Sequence, residues 1–398
     1  MMKKRFITAI LWVATVTSTA FAQPVQNQLY IPEYNAASWI LMDYETGAVL
    51  AEKNMHQKLE PASITKVMTS YIIAEEIEKN TIQSDALVTI SNNAYRQGGS
   101  RMYLEENSKV SVENLVKGLV IQSGNDAAMA LAEYVAGSSD AFAFRMNQKA
   151  RELGMKNTHF MNPSGLPDPN HFSTAYDLAV LSRELIKNYP SHYGIYAEKS
   201  FTWNVDTRTG RPITQPNRNN LLREDPSVDG IKTGHTDSAG YCLASSAERN
   251  NHRFIAVVLG TQSVHDRDRI SQNILNFGFQ NFSKQHLFDA GEPLQTINVR
   301  KGTAQSVAVG TAGKIEATLP LLDYDNVKSQ IRIKNNVVAP IEKGSELGSL
   351  EIHLDDQLIY SAPLVALESV EKAGFVKQIW DDFKFKLHNK YMKFKAAL

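Results

Sequence analysis

The chain has 398 residues, of which 43% are hydrophobic and 21% are charged, and its 42 lysines and arginines balance 42 aspartates and glutamates. This is the composition of a globular protein with two or three domains, and the net charge of zero argues against a nucleic-acid partner. The only cysteine, Cys242, excludes an internal disulfide framework and a cysteine-rich metal site, and no H-E-x-x-H pair occurs. We expect neither a metal ion nor a cofactor, and the composition leaves the oligomeric state open.

Residues 1–22 have the pattern of a secretory signal peptide. Lys3, Lys4 and Arg5 precede an apolar run that is too short to span a bilayer comfortably, and Ala20-Phe21-Ala22 forms a small-x-small cleavage site. The alternative is a retained membrane anchor. The pattern predicts export, and a chain of this length can be stable outside the cytoplasm without disulfides because it buries a large core.

Residues 23–290 mix strand and helix patterns and are expected to form one domain. Ser38 to Lys53 has the pattern of a hairpin. Helix patterns cover residues 62–78, 111–136 and a segment from Ser173 to about Lys187, and the Asn/Pro/Gly-rich residues 157–170 predict a loop. Four further segments are strand-like, namely Phe201 to Val205, Gly230 to Thr233, Tyr241 to Ser246 and Phe254 to Leu259.

Residues 291–370 have a different pattern, in which short apolar strands alternate with glycine-containing turns. This pattern predicts a small all-β domain. Its expected strands are Thr296 to Val299, Ser306 to Val309, Ile315 to Leu319, Gln330 to Ile333, Glu346 to Leu354 and Gln357 to Ala362.

Residues 371–398 are expected to form an amphipathic helix, and from Val376 to Leu398 six lysines against two aspartates make this tail basic. One apolar stripe recurs at helical spacing and consists of Val376, Ile379, Trp380, Phe383, Leu387, Tyr391 and Phe394. The tail has no run of about 18 apolar residues, so it cannot span a bilayer, but it can lie on an anionic membrane surface. The alternatives are a helix docked on its own protein and a helix that binds a partner.

Ser63-Ile64-Thr65-Lys66 is an S-x-x-K motif near the start of a predicted helix. Residues three apart share one helix face, so the hydroxyl of Ser63 and the amine of Lys66 can touch. Serine becomes a nucleophile when a base takes its proton, and a lysine serves as that base only when it is neutral. Alone, the motif is also compatible with a helix cap and a surface lysine, which is our expectation for a second copy at Ser369 to Lys372.

Ser123-Gly124-Asn125 is an S-x-N motif that follows a helix pattern. Its hydroxyl can relay a proton, and its amide can hold a substrate carbonyl or orient the lysine. A second copy at Ser91 to Asn93 shows that the motif alone is also compatible with a polar cluster at a helix end.

Lys232-Thr233-Gly234 lies in a predicted strand. Lys232 offers a second cation, Thr233 can bind a carboxylate, and Gly234 allows a substrate backbone to approach closely. Arg208-Thr209-Gly210 has a similar composition but lies in a predicted turn. For a lone K-T-G sequence, the alternative is an exposed strand end.

The three motifs together carry more information than each one alone. Their order and flanking residues, Pro61 to Met68, Gln122 to Ala127 and Asp229 to Thr236, resemble the low-molecular-weight penicillin-binding proteins that are D-alanyl-D-alanine carboxypeptidases of the penicillin-binding protein 5 and 6 type. The resemblance extends over the signal, the catalytic domain, the β-rich domain and the amphipathic tail. It implies an α/β (α+β) penicillin-recognising domain, in which an antiparallel sheet is covered by helices, followed by a small all-β domain.

The resemblance also implies residue roles. Ser63 would be the acylated nucleophile, Lys66 its base, and Ser123 the relay that protonates the leaving D-alanine. Asn125 and Lys232 would hold this network.

Substrate binding is implied for five further residues. Backbone N–H groups of Ser63 and His235 would form the oxyanion hole. Thr233 would contact the substrate carboxylate beside Gly234, and Arg218 and Arg267 match family positions in their local sequence. Ser164 stands where some relatives have a histidine, so no role is assigned to it.

The family resemblance implies a peptidoglycan pentapeptide as substrate and β-lactam antibiotics as covalent inhibitors, with a role in cell-wall maturation and cell shape. The expected location is the periplasm, where the tail attaches the protein to the outer face of the inner membrane. Gly124 in the second motif favours a carboxypeptidase over the alternative of a β-lactamase. A non-catalytic, membrane-attached wall-binding protein on the same fold is the other alternative, and intact Ser63, Lys66, Ser123 and Lys232 argue against it.

Overall fold

The computed structural model describes residues 31–205, 208–321, 327–354 and 357–395, so the predicted signal peptide at residues 1–22 lies outside the described residues. The strands are β1 (Ser38–Asp43), β2 (Val49–Lys53), β3 (Leu87–Thr89), β4 (Lys109–Ser111), β5 (Ser200–Val205), β6 (Pro212–Pro216), β7 (Val228–Thr236), β8 (Gly240–Arg249), β9 (His252–Thr261), β10 (Phe282–Phe288), β11 (Gln295–Asn298), β12 (Ser306–Thr311), β13 (Ile315–Pro320), β14 (Val327–Ile333), β15 (Glu346–Leu354) and β16 (Gln357–Ala366). The α-helices are α1 (Lys66–Glu78), α2 (Asn92–Tyr95), α3 (Val112–Val120), α4 (Asn125–Ala136), α5 (Ser139–Glu152), α6 (Ala175–Asn188), α7 (Pro190–Tyr193), α8 (Leu221–Glu224), α9 (Val264–Asn281) and α10 (Phe375–Lys395).

The first domain is built on a five-stranded antiparallel sheet in the order β2-β1-β9-β8-β7. Alternating side chains of a strand point to opposite faces, and here both faces are buried. Ile40 and Met42 of β1 share a core with α1, α3, α4 and α6. Leu41 faces α9, because a Cβ on Gly278 would lie 3.2 Å from its Cδ2 atom. Helices therefore cover both faces of the sheet and leave β7 as an edge strand, which confirms the predicted fold class.

The observed helices differ from the sequence pattern at two places that matter for function. The helix predicted at residues 62–78 begins as a 3₁₀ turn, Ala62–Thr65, and becomes α-helical at Lys66. The helical stretch predicted at 111–136 is interrupted, because α3 ends at Val120 and α4 begins at Asn125. The interruption places Ser123 in a turn rather than within a helix.

The second domain contains the sheet β11-β12-β16-β15-β14 and the pair β10-β13. The strands predicted between residues 296 and 362 are present, with ends shifted by a few residues. Strand β10 begins at Phe282 and pairs with β13 along its length. The strand pairing of the second domain therefore starts at Phe282, before residue 290, where the sequence pattern placed the domain boundary.

A buried polar cluster joins the five-stranded sheet of the first domain to the β10-β13 pair. Asp43 of β1 accepts a hydrogen bond from Thr318 Oγ1 of β13 at 2.7 Å, and His252 Nε2 lies 3.0 Å from the same carboxylate oxygen. Burial acts to raise the pKa of Asp43, but hydrogen bonds from His252, Thr46 and Thr318 outweigh it and lower this pKa. The ionised carboxylate therefore holds the β10-β13 pair against the catalytic sheet.

The predicted tail helix is present as α10, and it docks on the second domain through its acidic face. Asp382 forms ion pairs with Arg300 at 2.7 Å and with Lys301 at 2.8 Å, and the Arg300 guanidinium lies 3.7 Å from the ring centre of Phe385. Among the described stripe residues, exposed fractions range from 55% at Ile379 to 81% at Val376. No helix in the described ranges combines the length and apolar character needed to cross a bilayer.

Candidate active site

A cleft of about 680 Å³ opens beside the edge strand β7. It brings together residues that are far apart in the sequence. Of the predicted site residues, all except Lys66 and Lys232 line it, and these are Ser63, Ser123, Asn125, Arg218, Thr233, Gly234, His235 and Arg267. The two lysines lie behind the cleft wall, where each is at most 2% exposed.

The S-x-x-K motif forms a direct contact at the base of the cleft. Lys66 Nζ lies 2.9 Å from Ser63 Oγ, because the 3₁₀ turn and the first turn of α1 place the two side chains on one face. The amine also donates a hydrogen bond to the backbone carbonyl of Ser164 at 2.7 Å. These two contacts aim the nitrogen at the serine hydroxyl.

The environment of Lys66 favours the neutral amine. Burial is the main cause that lowers its pKa to about 7, and the positive charge of Arg218 lowers it further, against an opposing effect of Asp126. Near neutral pH a large fraction of Lys66 is therefore unprotonated and able to take the proton of Ser63.

Ser123 lies at the turn between α3 and α4. Its φ of +64° is in the left-handed region, which a residue other than glycine adopts at a cost. The side chain is 2% exposed, and Ser123 Oγ has no hydrogen-bond partner among the described residues. A strained residue with an unpaired hydroxyl at the cleft wall is suited to interact with a bound substrate.

Asn125 is held at the N-terminus of α4. Its side-chain amide donates to the carbonyl of Gly98 at 2.7 Å, and its backbone N–H donates to the carbonyl of Ser100 at the same distance. Gly99 and Ser100 line the cleft, so Asn125 fixes this rim.

Lys232 lies in β7, with its amine 3.0 Å from the carbonyl oxygen of Thr233. Burial holds the pKa of Lys232 well below its usual value, and the charges of Lys66, Arg218 and Arg267 act in the same direction. Lys232 therefore lies behind the cleft wall as a second amine, and Arg218 and Arg267 line the cleft itself.

Arg267 is held in place by residues that the sequence analysis did not single out. Arg267 is buried and donates to Asp268 through Nε at 2.8 Å, and Asn220 donates to the same carboxylate through its amide. Arg267 Nη2 also donates to the backbone carbonyl of Arg218. The exposed side chain of Arg218 forms no ion pair with any residue that the structure describes. The pair of arginines thus offers a site for an anionic group at one end of the cleft.

Gly234 and His235 lie further along β7. A Cβ at Gly234 would lie 2.9 Å from Pro61 O and 3.2 Å from Ala62 Cβ, so the glycine lets the turn that carries Ser63 pack against the strand. The ring of His235 lies over Tyr241, with ring centres 4.0 Å apart. Ser63 and the end of β7 thus form one continuous wall.

The loop of residues 162–166 is the functional segment that sequence reasoning missed. Besides the bond from Lys66 to Ser164 O, Thr69 Oγ1 donates to Pro163 O at 2.7 Å. Gly165 has a φ of +83°, and a Cβ there would lie 1.9 Å from Ala62 O. The contact with Lys66 uses a backbone carbonyl, so the side chain of Ser164 does not reveal it. Gly165 was the one residue in the sequence that could have indicated this close packing.

A buried histidine holds this loop region against the turn that carries Ser63. His171 Nε2 lies 2.9 Å from Thr65 Oγ1, and Met161 N donates to His171 Nδ1. Burial lowers the pKa of His171 to about 4, so the ring is neutral and donates from Nε2.

The second copies of the motifs serve structural purposes. Ser91 caps α2 by accepting from Ala94 N, and its hydroxyl donates to Glu133 at 2.6 Å. Ser369 Oγ accepts from Lys343 N in the second domain. Neither serine lines the cleft.

Two family models match the chain. One, described as D-alanyl-D-alanine carboxypeptidase, matches residues 23–263, and the other, described as the C-terminal domain of penicillin-binding protein 5, matches residues 282–372.

Curated relatives match along nearly their whole length. D-alanyl-D-alanine carboxypeptidase DacD of Salmonella typhimurium is 38% identical, over 97% of this chain and 100% of the relative. DacF of Bacillus subtilis is 36% identical, over 96% of this chain and 100% of the relative.

Solved structures agree with these matches. Penicillin-binding protein 5 from Haemophilus influenzae superposes with a TM-score of 0.79 at 37% identity, and covers 87% of this chain and 100% of that chain. Penicillin-binding protein 6B from Escherichia coli superposes with a TM-score of 0.68 at 38% identity, and the match covers 86% of this chain and 98% of that chain.

The state of Lys66 predicts a pH dependence. Acylation by a fluorescent penicillin should rise with pH and reach half of its plateau near pH 7, because the neutral amine is the active form. Arg218→Gln removes a charge that lowers this pKa, so the midpoint should move up by roughly half a pH unit. Stopped-flow acylation rates between pH 5.5 and 9 measure the midpoint.

Arg218→Lys is the matched control, because it keeps the positive charge. Both variants are expected to have a lower plateau rate if Arg218 also contacts the ligand. The pH midpoint of acylation, and not the plateau rate, is therefore the decisive quantity. An unshifted midpoint in Arg218→Gln, or equal shifts in both variants, would contradict this electrostatic account.

Proposed function

The chain belongs to the D-alanyl-D-alanine carboxypeptidase family, and we propose that it removes the terminal D-alanine from peptidoglycan pentapeptide stems through an acyl-enzyme on Ser63. As a member of this family it is a serine-type hydrolase and a penicillin-binding protein. The observation that carries the proposed mechanism is the buried amine of Lys66, 2.9 Å from Ser63 Oγ and with a pKa of about 7.

In the acylation step, neutral Lys66 takes the proton of Ser63. Ser63 Oγ attacks the carbonyl carbon of the penultimate D-alanine, and backbone N–H groups of Ser63 and His235 stabilise the oxyanion. The C–N bond then breaks. The leaving D-alanine amine receives a proton that Lys66 passes through Ser123 Oγ.

The deacylation step uses the same groups in reverse. A water molecule loses a proton to Lys66 and attacks the ester carbonyl. The bond to Ser63 Oγ breaks, and the oxygen regains a proton from Lys66. One residue thus acts first as a base and then as an acid in each half of the reaction, which its pKa near 7 supports.

The arginines and Thr233 account for carboxypeptidase specificity. Thr233 faces the cleft beside Arg218 and Arg267, so an anionic terminus placed there lies one residue beyond the carbonyl that Ser63 attacks. Because two cations favour a free carboxylate over a continuing peptide, the cleft selects the chain terminus. Asn125 on the opposite wall orients the peptide.

The cleft composition favours this reaction over hydrolysis of β-lactams. No aspartate or glutamate belongs to the described lining, so no carboxylate there can activate water for rapid deacylation. A β-lactam is then expected to acylate Ser63 and remain bound. The contact between Ser63 and Lys66 likewise supports an active enzyme over a wall-binding protein that has lost catalysis.

Ser63 is expected to be the single site of acylation. Intact-mass spectrometry after penicillin treatment should show one adduct on the native protein and none on Ser63→Ala, which should also release no D-alanine from a pentapeptide. Ser369→Ala is the control, because it alters the second S-x-x-K motif, and it should keep both properties. An adduct that persists on Ser63→Ala would exclude Ser63 as the nucleophile.

We propose further that the protein acts in the periplasm, bound to the outer face of the inner membrane, where it contributes to cell-wall maturation and cell shape. The signal pattern at residues 1–22 and the basic tail support this location. With α10 docked through Asp382, each described stripe residue is at least 55% exposed, and these are Val376, Ile379, Trp380, Phe383 and Leu387. Full burial of one such side chain contributes about 1.5–3 kcal/mol. Salt screens the electrostatic contribution of the lysines but not the burial of the apolar stripe. The stripe should therefore keep most of the protein on the membrane at high salt.

Binding to vesicles of phosphatidylethanolamine and phosphatidylglycerol tests the stripe. Trp380→Ser combined with Phe383→Ser should lower the membrane partition constant by roughly tenfold, because two partly inserted side chains are lost. Leu321→Ser combined with Leu358→Ser removes exposed apolar side chains from the second domain and should have no effect. Activity on a small peptide should be retained in both. Equal vesicle binding by both double variants would refute attachment through the stripe.

A further inference from the structure

A second cleft of about 750 Å³ adjoins the active-site cleft at the far end of β7. The two clefts share His235 and Tyr241, whose tilted rings have centres 4.0 Å apart. The second cleft is also lined by Lys58, Glu60 and Asp237. The second cleft therefore borders the active-site cleft directly.

The geometry of the reaction points a substrate towards this second cleft. In the proposed reaction, the substrate carboxylate is placed at Arg218 and Arg267, and the reacting carbonyl between Ser63 and His235. The part of the peptide that precedes the two D-alanines must then continue past His235 and Thr236. Since an extended chain advances about 3.3 Å per residue, the residue before the D-alanines reaches the boundary between the clefts.

Glu60 is placed at this boundary. Its carboxylate accepts a hydrogen bond from Ser238 Oγ at 2.6 Å and one from Thr236 Oγ1 at 3.4 Å, so its position is fixed. Thr236 lines the first cleft and Ser238 the second. Glu60 forms no ion pair with any of the described residues, which leaves its negative charge available to a ligand.

Charge in the second cleft favours a cation. Asp237 adds a second negative charge, and Lys58 is the only lysine or arginine of the described lining. Lys58 is exposed, and its amine lies 4.6 Å from the ring centre of Phe172, which is not part of this lining. The opposite end of the groove carries two arginines, so the whole groove is positive where a carboxylate binds and negative where the stem enters.

We propose that Glu60 is a specificity-determining residue and that it binds a side-chain ammonium on the stem residue that precedes the two D-alanines. The inference rests on the proposed carboxypeptidase function and deepens it. Ser238 acts as a positioning residue, because its hydroxyl holds the Glu60 carboxylate. The contact forms before the chemical step and persists through it, so it lowers KM and leaves kcat nearly unchanged.

Two peptides that differ only in one charge test this proposal. Nα-acetyl-L-Lys-D-Ala-D-Ala carries a free side-chain ammonium, and Nα,Nε-diacetyl-L-Lys-D-Ala-D-Ala does not. The native enzyme should prefer the first by about fivefold in kcat/KM for D-alanine release, which corresponds to roughly 1 kcal/mol and is the upper range for a partly exposed ion pair. The preference should reside in KM and decrease in 0.5 M salt.

Glu60→Gln should reduce the ratio for the two peptides to about one, and Ser238→Ala should reduce it in part. Asp140→Asn changes an exposed carboxylate on α5 in the same chemical way, and it should keep the fivefold ratio. A native enzyme that cleaves both peptides equally, or a Glu60→Gln enzyme that retains the preference, would overturn the subsite. Loss of preference in Asp237→Asn alone would overturn the assignment to Glu60. Failure to release D-alanine from either peptide would instead refute the proposed function, and the subsite with it.

Discussion

A buried amine that is largely neutral at physiological pH is the constraint on which the rest of this active site depends. Lys66 must lie out of water to lose its proton, and it must still face Ser63. Both conditions are met because the amine is 1% exposed and has two fixed neighbours, Ser63 Oγ and the carbonyl of Ser164. A shift of the pKa from 10.5 to about 7 costs on the order of 4 kcal/mol of folding free energy at pH 7 and below, and the cost declines as the pH rises from 7 towards 10.5. The helical core around α1 and the central sheet must supply this free energy.

Much of the fold was accessible from the sequence, because it follows from local patterns. Alternation of apolar residues located the β1-β2 hairpin and the strands of the second domain, and three short motifs located Ser63, Lys66 and the edge strand that meet at the cleft. Periodicity could not show that the helix pattern at 111–136 is interrupted. The interruption depends on Ser123 adopting a positive φ, which the pattern of apolar residues does not encode.

The parts of the site that the sequence did not show depend on contacts between distant segments. The loop at 162–166 acts on Lys66 through a backbone carbonyl, so the side chain of Ser164 carries no signature of it. Asp268 binds its sequence neighbour Arg267 and also Asn220, 48 residues away, and the ion pair between Asp382 and Arg300, 82 residues apart, fixes α10. Each contact requires knowledge of which elements are neighbours. The groove as a whole therefore emerges only in three dimensions, with arginines at one end and Glu60 at the other.

The acylation rate of Lys66→Arg tests the central claim most directly, namely that a neutral lysine activates Ser63. Arginine keeps a cation at this position but does not give up its proton near neutral pH. With the fold verified by its thermal unfolding midpoint, the variant should react with a fluorescent penicillin at least about 100-fold more slowly than the native enzyme at pH 8, the range expected for the loss of a general base. A folded Lys66→Arg enzyme that retains most of the native acylation rate would contradict the account, because the base would then lie elsewhere.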